Sequence, residues 1–225
     1  SSSLPSPTLK LTGHKGSVYA VQYSPNGDTL CSSSFDMTCL LWSHRDDDEE
    51  VASYSNFNVL TGHKNAVLDC SWCDNESIAT ASADKTVMLW DANTGNRLRK
   101  YAEHTGIVNA VTSTKDTSIL SVSDDKSCKV WDRRQKRPTV SLEMSYPLLA
   151  VAQSDEHVYV SGIDPKIYAW DLRRPSHPVY SMAGHSDAVT CLSLHPEQTH
   201  ILSNSMDQTL KTWDIRPFVA SQSKR

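Results

Sequence analysis

The sequence predicts an all-β chain assembled from five copies of one unit, each made of four short antiparallel strands. Three observations carry that prediction. The pattern Ser-x-Asp recurs as Ser34-Phe35-Asp36, Ser82-Ala83-Asp84, Ser123-Asp124-Asp125 and Ser205-Met206-Asp207, and each final Asp stands six residues before a Trp: Trp42, Trp90, Trp131 and Trp213. A Gly-His pair opens three of these units, at Gly13-His14, Gly62-His63 and Gly184-His185, with Glu103-His104 in the equivalent place. Between the markers apolar residues alternate with period two, and no 3.6-residue apolar pattern runs far enough to predict a helix.

Within a unit the elements follow in a fixed order. An alternating segment comes first (Ser17 to Tyr23, Ala66 to Trp72, Ile107 to Thr112, Ala188 to Leu194) and reads as the inner strand. A turn such as Ser24-Pro25-Asn26-Gly27 follows, with Pro and Gly at positions that favour chain reversal. A strand of small residues then ends in Ser-x-Asp, a third strand ends on the Trp, and a fourth precedes the next Gly-His. A further unit keeps Asp164 and Trp170 at the gap of six, but has Ser145-Tyr146-Pro147 in place of the opening pair and Gly162 in place of Ser. Successive Trp residues are 48, 41, 39 and 43 apart. About 40 residues hold four strands of ~5–6 residues with their turns, and that period is the period of a β-propeller blade.

Composition is compatible with this and excludes other classes. The 225 residues are 38% apolar and 21% charged, with Gly 8 and Pro 10, which rules out disordered and collagen-like chains. A net charge of -4 argues against a general DNA coat or a polybasic membrane binder. No apolar run approaches the ~18–20 residues of a membrane-crossing helix, and Ser1 to Lys10 lacks the features of a signal peptide. An intracellular chain with no membrane contact is expected. Its six Cys are too sparse for a disulfide scaffold, so reduced thiols are expected. Cys70 and Cys73 form one CxxC with no second pair to complete four zinc ligands, and read as small strand residues. His195 and His200 flank a turn and suit a solvated loop better than a metal pair. No metal or cofactor is expected.

His14, Ser34 and Asp36 together invite a hydrolase reading. The recurrence of the same set as His63/Ser82/Asp84, His104/Ser123/Asp125 and His185/Ser205/Asp207 argues against it, because an enzyme needs one such site with an oxyanion hole beside it. There is also no Gly-x-Ser-x-Gly elbow, Walker loop or His-Glu-x-x-His run, and no enzyme or small-molecule substrate is expected.

The repeat, with Trp90-Asp91, Trp131-Asp132, Trp170-Asp171 and Trp213-Asp214, resembles the WD40 family; the first unit departs with Trp42-Ser43. The resemblance implies a β-propeller of four-stranded blades over residues 9–220, with repeats at 9–43, 58–92, 98–133, 139–173 and 181–216, a tail at 1–8 and a basic tail at 221–225. It also implies a structural network in each blade. The turn Asp holds the His, and the His links through the Ser to the indole N–H of Trp42, Trp90, Trp131 or Trp213. The fourth unit lacks both His and Ser and is expected to be the softest blade.

The same resemblance indicates which side chains share a face. Residues before the turn Asp and beside the start of the inner strand crowd the narrow top opening of such propellers: Tyr19, Phe35, Leu68, Ala83, Ile107, Asn109, Asp124, Leu148, Ile163, Thr190 and Met206. A largely apolar ring of this kind suits a protein partner better than phosphate. Basic residues gather just after the Trp-Asp pairs instead, at Arg133, Arg134, Lys136 and Arg137, then Arg173, Arg174 and Arg216, with Lys224 and Arg225 at the end. On the opposite face they would meet solvent first, and RNA or an acidic partner second. Arg133 to Arg137 also has the composition of a weak nuclear-import cluster. The acidic run 46–50 reads as an exposed loop.

Ile201 to Leu210, Trp213 to Phe218 and the unusual fourth unit resemble the spliceosomal branch of the family, WD40 subunits of the U5 small nuclear ribonucleoprotein. That implies a nuclear, non-catalytic splicing scaffold whose partners are spliceosomal proteins, chiefly the large central protein of the U5 particle. The alternative is a substrate receptor of a cullin-based ubiquitin ligase, suggested by the Trp-Asp-x-Arg ends at 131–134, 170–173 and 213–216, or another WD40 scaffold. Seven blades are usual and need ~290 residues, so five units predict an incomplete seven-bladed ring, open or completed by another chain. Leu9 to Thr12 resembles the outer strand that an N-terminus donates to the last blade.

Overall fold

The computed structural model describes residues 10–45, 53–114 and 118–216. The expectations placed on Leu9, on the acidic run 46–50 and on Lys224 and Arg225 lie outside those residues, and residues 10–12 form no strand.

The described residues form strands, turns and bends without a helix. The first sheet contains β1 (Val18–Tyr23), β2 (Thr29–Ser34), β3 (Thr38–Arg45) and β4 (Ser53–Thr61). The second contains β5 (Val67–Trp72), β6 (Ser77–Ser82), β7 (Val87–Asp91) and β8 (Arg97–Tyr101). The third contains β9 (Val108–Ser113), β10 (Ile119–Ser123), β11 (Ser127–Trp131) and β12 (Pro138–Glu143). The fourth contains β13 (Leu148–Gln153), β14 (Val158–Gly162), β15 (Lys166–Trp170) and β16 (Tyr180–Ala183). The fifth has three strands among the described residues, β17 (Val189–Leu194), β18 (His200–Ser205) and β19 (Leu210–Asp214). Each sheet is a meander in sequence order, antiparallel throughout.

The turns between the second and third strands explain the recurring Asp. In the first, second, third and fifth sheets the residue after it adopts a left-handed conformation, with φ of 68° at Met37, 69° at Lys85, 70° at Lys126 and 66° at Gln208. In the fourth sheet Pro165 takes that place, and its ring holds φ near −65°. The fourth turn is therefore built differently.

Apolar faces of neighbouring sheets meet in four clusters, one per interface. Leu41, Leu60, Trp72, Ile78, Met88 and Trp90 fill the first, and Leu89, Tyr101, Val108, Ile119 and Trp131 lie in the second. Leu120, Leu142, Val151, Val160 and Trp170 lie in the third, and Tyr159, Ile167, Val189, Leu192 and Ile201 in the fourth. Cys31, Cys39 and Cys70 share the first interface, with the Sγ atoms of Cys31 and Cys70 3.3 Å apart. Cys73 packs against the second. The CxxC is thus split between two cores, as alternation along a strand dictates.

Polar hooks along the inner strands reinforce the row. Gln22 Oε1 accepts the Trp72 backbone N–H at 2.9 Å, and the Trp72 indole donates back to the Gln22 carbonyl at 3.1 Å. Asp69 Oδ2 accepts the Val111 N–H at 2.9 Å, and Ser113 Oγ donates to the Trp72 carbonyl at 2.6 Å. Among the described residues β1 packs beside β5, β5 beside β9, β9 beside β13 and β13 beside β17, and β17 does not pack beside β1, so the blades stand in an open row. The first inner strand accordingly leaves Val18, Val21 and Tyr23 more than half exposed.

Candidate functional site

Two sets of residues repeat from blade to blade, one internal and one on the surface. The internal set centres on the turn Asp. Asp84 Oδ2 accepts the Lys64 backbone N–H at 2.9 Å and the His63 Nδ1–H at 2.9 Å, while Oδ1 accepts the backbone N–H of Thr86 at 3.0 Å and its hydroxyl at 2.6 Å. Asp36 with His14, Asp125 with His104 and Asp207 with His185 repeat this arrangement, with Thr38, Ser127 and Thr209 as the hydroxyl donors. Four donors around one carboxylate favour its ionised form. Burial opposes ionisation at Asp125, but the bonds from Ser127, His104 and the Thr105 N–H outweigh it and hold the carboxyl down at about 2. The same opposition resolves the same way at Asp36, Asp84 and Asp207, which lie well below the usual carboxylate range. Burial lowers the His104 imidazole despite its Asp partner.

The far side of each His corrects the sequence expectation. The hydroxyl between His and Trp belongs to the residue two places before the expected Ser. Thr80 Oγ1 donates to His63 Nε2 at 2.7 Å and accepts the Trp90 indole N–H at 2.8 Å. Ser32 plays this part for His14 and Trp42, Ser121 for His104 and Trp131, and Ser203 for His185 and Trp213. Ser34, Ser82, Ser123 and Ser205 instead accept the backbone N–H of their own turn Asp, at 3.0–3.2 Å. Residues two apart on a strand share a face, so both hydroxyls point the same way and only the ladder register decides which meets the indole. A hydroxyl four residues before the Asp in the four complete units was the available signal. The Gly of the opening pair has its own reason: a Cβ on Gly13 or Gly184 would stand 2.9 Å from Leu40 Cδ1 or from the Trp213 ring.

The surface set arises from a β-bulge. In each blade the second residue of the inner strand has no partner in the ladder: Tyr19, Leu68, Asn109, Leu149 and Thr190. Such bulges re-aim side chains. Beside each stands the residue before the turn Asp, whose N–H is held by the carbonyl of the residue just ahead of the inner strand: Phe35, Ala83, Asp124, Ile163 and Met206. Of the apolar members Tyr19, Phe35, Ile163 and Met206 are open to solvent, at 51%, 59%, 53% and 63%, and Ile107 just ahead of the third inner strand is 37% exposed, whereas Leu68, Ala83 and Leu149 are half-buried. Asn109 donates to Asp124 Oδ1 at 2.7 Å and to the Leu148 carbonyl at 2.8 Å. Leu148, expected on this face, is buried in the third interface, and Leu149 holds the bulge. Without a Gly-His pair to fix the register, the sequence places the two leucines ambiguously.

The basic residues divide. Arg133 is not free for a partner: it donates to Asp74 Oδ2 at 2.8 Å and to Ser77 Oγ at 2.7 Å, strapping the third blade to the second. The Arg216 side chain is taken by Asp214. Arg134, Lys136, Arg137, Arg173 and Arg174 are exposed. His195 and His200 meet edge to face, and no cluster of metal-ligating side chains occurs among the described residues.

Serial meanders bearing this Asp–His–hydroxyl–Trp set are matched by the family model described as WD domain, G-beta repeat, over residues 5–43, 55–91, 95–132 and 176–214. The chain belongs to the WD40 repeat family. The match passes over the fourth blade, the one without the WD40 network. The chain is 37% identical over 221 residues to the pre-mRNA-splicing factor cwf17 of Schizosaccharomyces pombe, covering 96% of this chain and 63% of that protein. It is 38% identical over 224 residues to the human U5 small nuclear ribonucleoprotein 40 kDa protein, covering 98% and 61%. To the protein of that name from Dictyostelium discoideum it is 35% identical over 189 residues, covering 82% and 52%. The chain thus spans between about half and two thirds of the length of these WD40 relatives.

Proposed function

We propose that this chain is a non-catalytic interaction scaffold of the nuclear pre-mRNA splicing machinery, docking on the large central protein of the U5 particle. The observation that carries the reading is the group of apolar side chains around the bulged strand ends, with Tyr19, Phe35, Ile107, Ile163 and Met206 open to solvent. Aromatic and aliphatic side chains grouped on a rigid frame form protein-binding hot spots, where a single anchor can be worth ~2 kcal/mol or more. The names of the relatives supply the splicing context. RNA contact is secondary in this reading and falls to Arg134, Arg137, Arg173 and Arg174, since Arg133 is engaged within the fold.

Affinity purification from nuclear extract tests it. The unmodified chain is expected to retain U5 proteins, and Phe35→Asp or Met206→Asp to lose them without a change in melting temperature. Recovery of a cullin and its adaptor would replace this reading with that of a ligase receptor. Full retention by both variants would remove the ring from the interface.

A further inference from the structure

Two segments carry the same order of residue types, Lys136-Arg137-Pro138-Thr139 in the third blade and Arg173-Arg174-Pro175-Ser176 in the fourth. Each sets two basic side chains three and two places ahead of a hydroxyl. The fold treats the two hydroxyls differently. Thr139 lies in β12, paired to β11, and its Oγ1 donates to the Val130 carbonyl at 3.1 Å. Ser176 lies in the loop between β15 and β16, where Arg173, Arg174, Pro175, Ser176 and His177 are exposed in succession. Backbone hydrogen bonds hold that loop near its ends, from the Arg174 N–H to the Asp171 carbonyl at 2.9 Å and from the Val179 N–H to the Ala169 carbonyl at 2.8 Å. Ser176 Oγ stands 2.8 Å from His177 Nδ1 at the surface. Among the described residues no carboxylate engages the Arg173 or Arg174 guanidinium, unlike those of Arg133 and Arg216.

We infer that Ser176 is an acceptor site for a basophilic protein kinase, with ATP as the phosphoryl donor. Enzymes of that class hold the acceptor segment in an extended form and read guanidinium groups just ahead of the hydroxyl through carboxylates of their own. Pro175 favours this form, because its ring fixes its own φ near −65° and steers Arg174 toward extended backbone. An exposed loop enters an enzyme's cleft once a turn opens, whereas Thr139 does so only if β12 leaves its sheet. In the transfer, Ser176 Oγ attacks the γ-phosphorus of ATP. The new O–P bond forms as the bond to ADP breaks, and the hydroxyl proton passes to the catalytic Asp of the kinase. The phosphate brings a charge of about −2 at neutral pH, which offsets the two guanidinium charges beside it. The loop thereby passes from positive to near neutral. This site is separate from the apolar side chains around the bulges and does not rest on them.

The test incubates the whole folded chain with ATP and the catalytic subunit of cyclic-AMP-dependent protein kinase, and mass spectrometry reads the number and position of the phosphoryl groups. One group per chain is expected, on Ser176. Arg173→Ala and Arg174→Ala are each expected to slow the transfer at least tenfold at an unchanged melting temperature. Ser176→Ala is expected to abolish it, and Thr139→Val to leave it at the parent's rate. No transfer to Ser176 in the folded chain, transfer to Thr139 in its place, or a rate that survives both arginine substitutions would overturn the inference.

Discussion

At the residue scale, one hydroxyl per complete blade decides whether a His and a Trp are both satisfied. Thr80 serves His63 and Trp90 at once, whereas Ser82 holds one turn N–H and donates to the Ala66 carbonyl. Removing a shared partner orphans two buried groups, and each orphan costs ~1–3 kcal/mol. Thr80→Val is therefore expected to destabilise the chain by about 3 kcal/mol, and Ser82→Ala by about 1 kcal/mol, measured by urea unfolding. Equal losses would mean that the indole and imidazole find other partners. The Asp, the His and the Trp were legible in the sequence from the repeat and the family resemblance, because the Asp stands six residues before the Trp and 21 or 22 after the His in every complete unit. The linking hydroxyl was not, since Ser34 and Ser32, or Ser82 and Thr80, share a strand face and differ only in cross-strand register. Arg133 was equally hidden: its partner Asp74 lies 59 residues away, on another blade.

Among elements, the fourth blade is the informative one. Gly162 replaces the Ser of the other blades because the chain ahead of the inner strand passes over it: a Cβ there would stand 2.0 Å from the Pro147 carbonyl oxygen. Gly162→Ser, which restores the repeat consensus within this chain, is expected to destabilise by about 3 kcal/mol, the upper range for overpacking. Calorimetry that found the variant as stable as its parent would show that residues 145–147 move aside freely. The number of blades, their strand order and the odd character of the fourth could all be read from the repeat. The bulges could not, because a residue omitted from a ladder leaves no mark in composition, and Leu148 and Leu149 are chemically interchangeable until register is known. Repetition also dismissed the hydrolase reading before any geometry was available, as four copies of one polar set serve a frame better than a reaction.

For the whole molecule, the four networks act together in acid. The carboxyls of Asp36, Asp84, Asp125 and Asp207 are depressed in the fold, Asp125 to about 2, against ~3.9 in an unfolded chain. The unfolded chain then binds more protons below about pH 4, so that stability present above this pH is lost as pH falls toward 2. His104, lowered by burial, adds a milder loss that starts as pH falls through ~6.5, where the unfolded imidazole takes up its proton first. Melting temperature is expected to decline in two steps, gently below pH 6.5 and steeply below pH 4; a flat profile from pH 7 to 3 would contradict the network energetics. The open row has a further consequence for how protection against hydrogen exchange is distributed. Stability in stacked arrays is close to a sum of nearest-neighbour couplings, and the second, third and fourth blades each have two neighbours while the first and fifth have one. Amide exchange should therefore be slowest in β9 and β10 and quicken outward, with the fifth blade, three-stranded among the described residues, opening ahead of the fourth despite the missing network there. Each opening of the fifth blade bares the apolar flank of the fourth blade. A partner that grips the fifth blade would slow exchange in its neighbours without touching them.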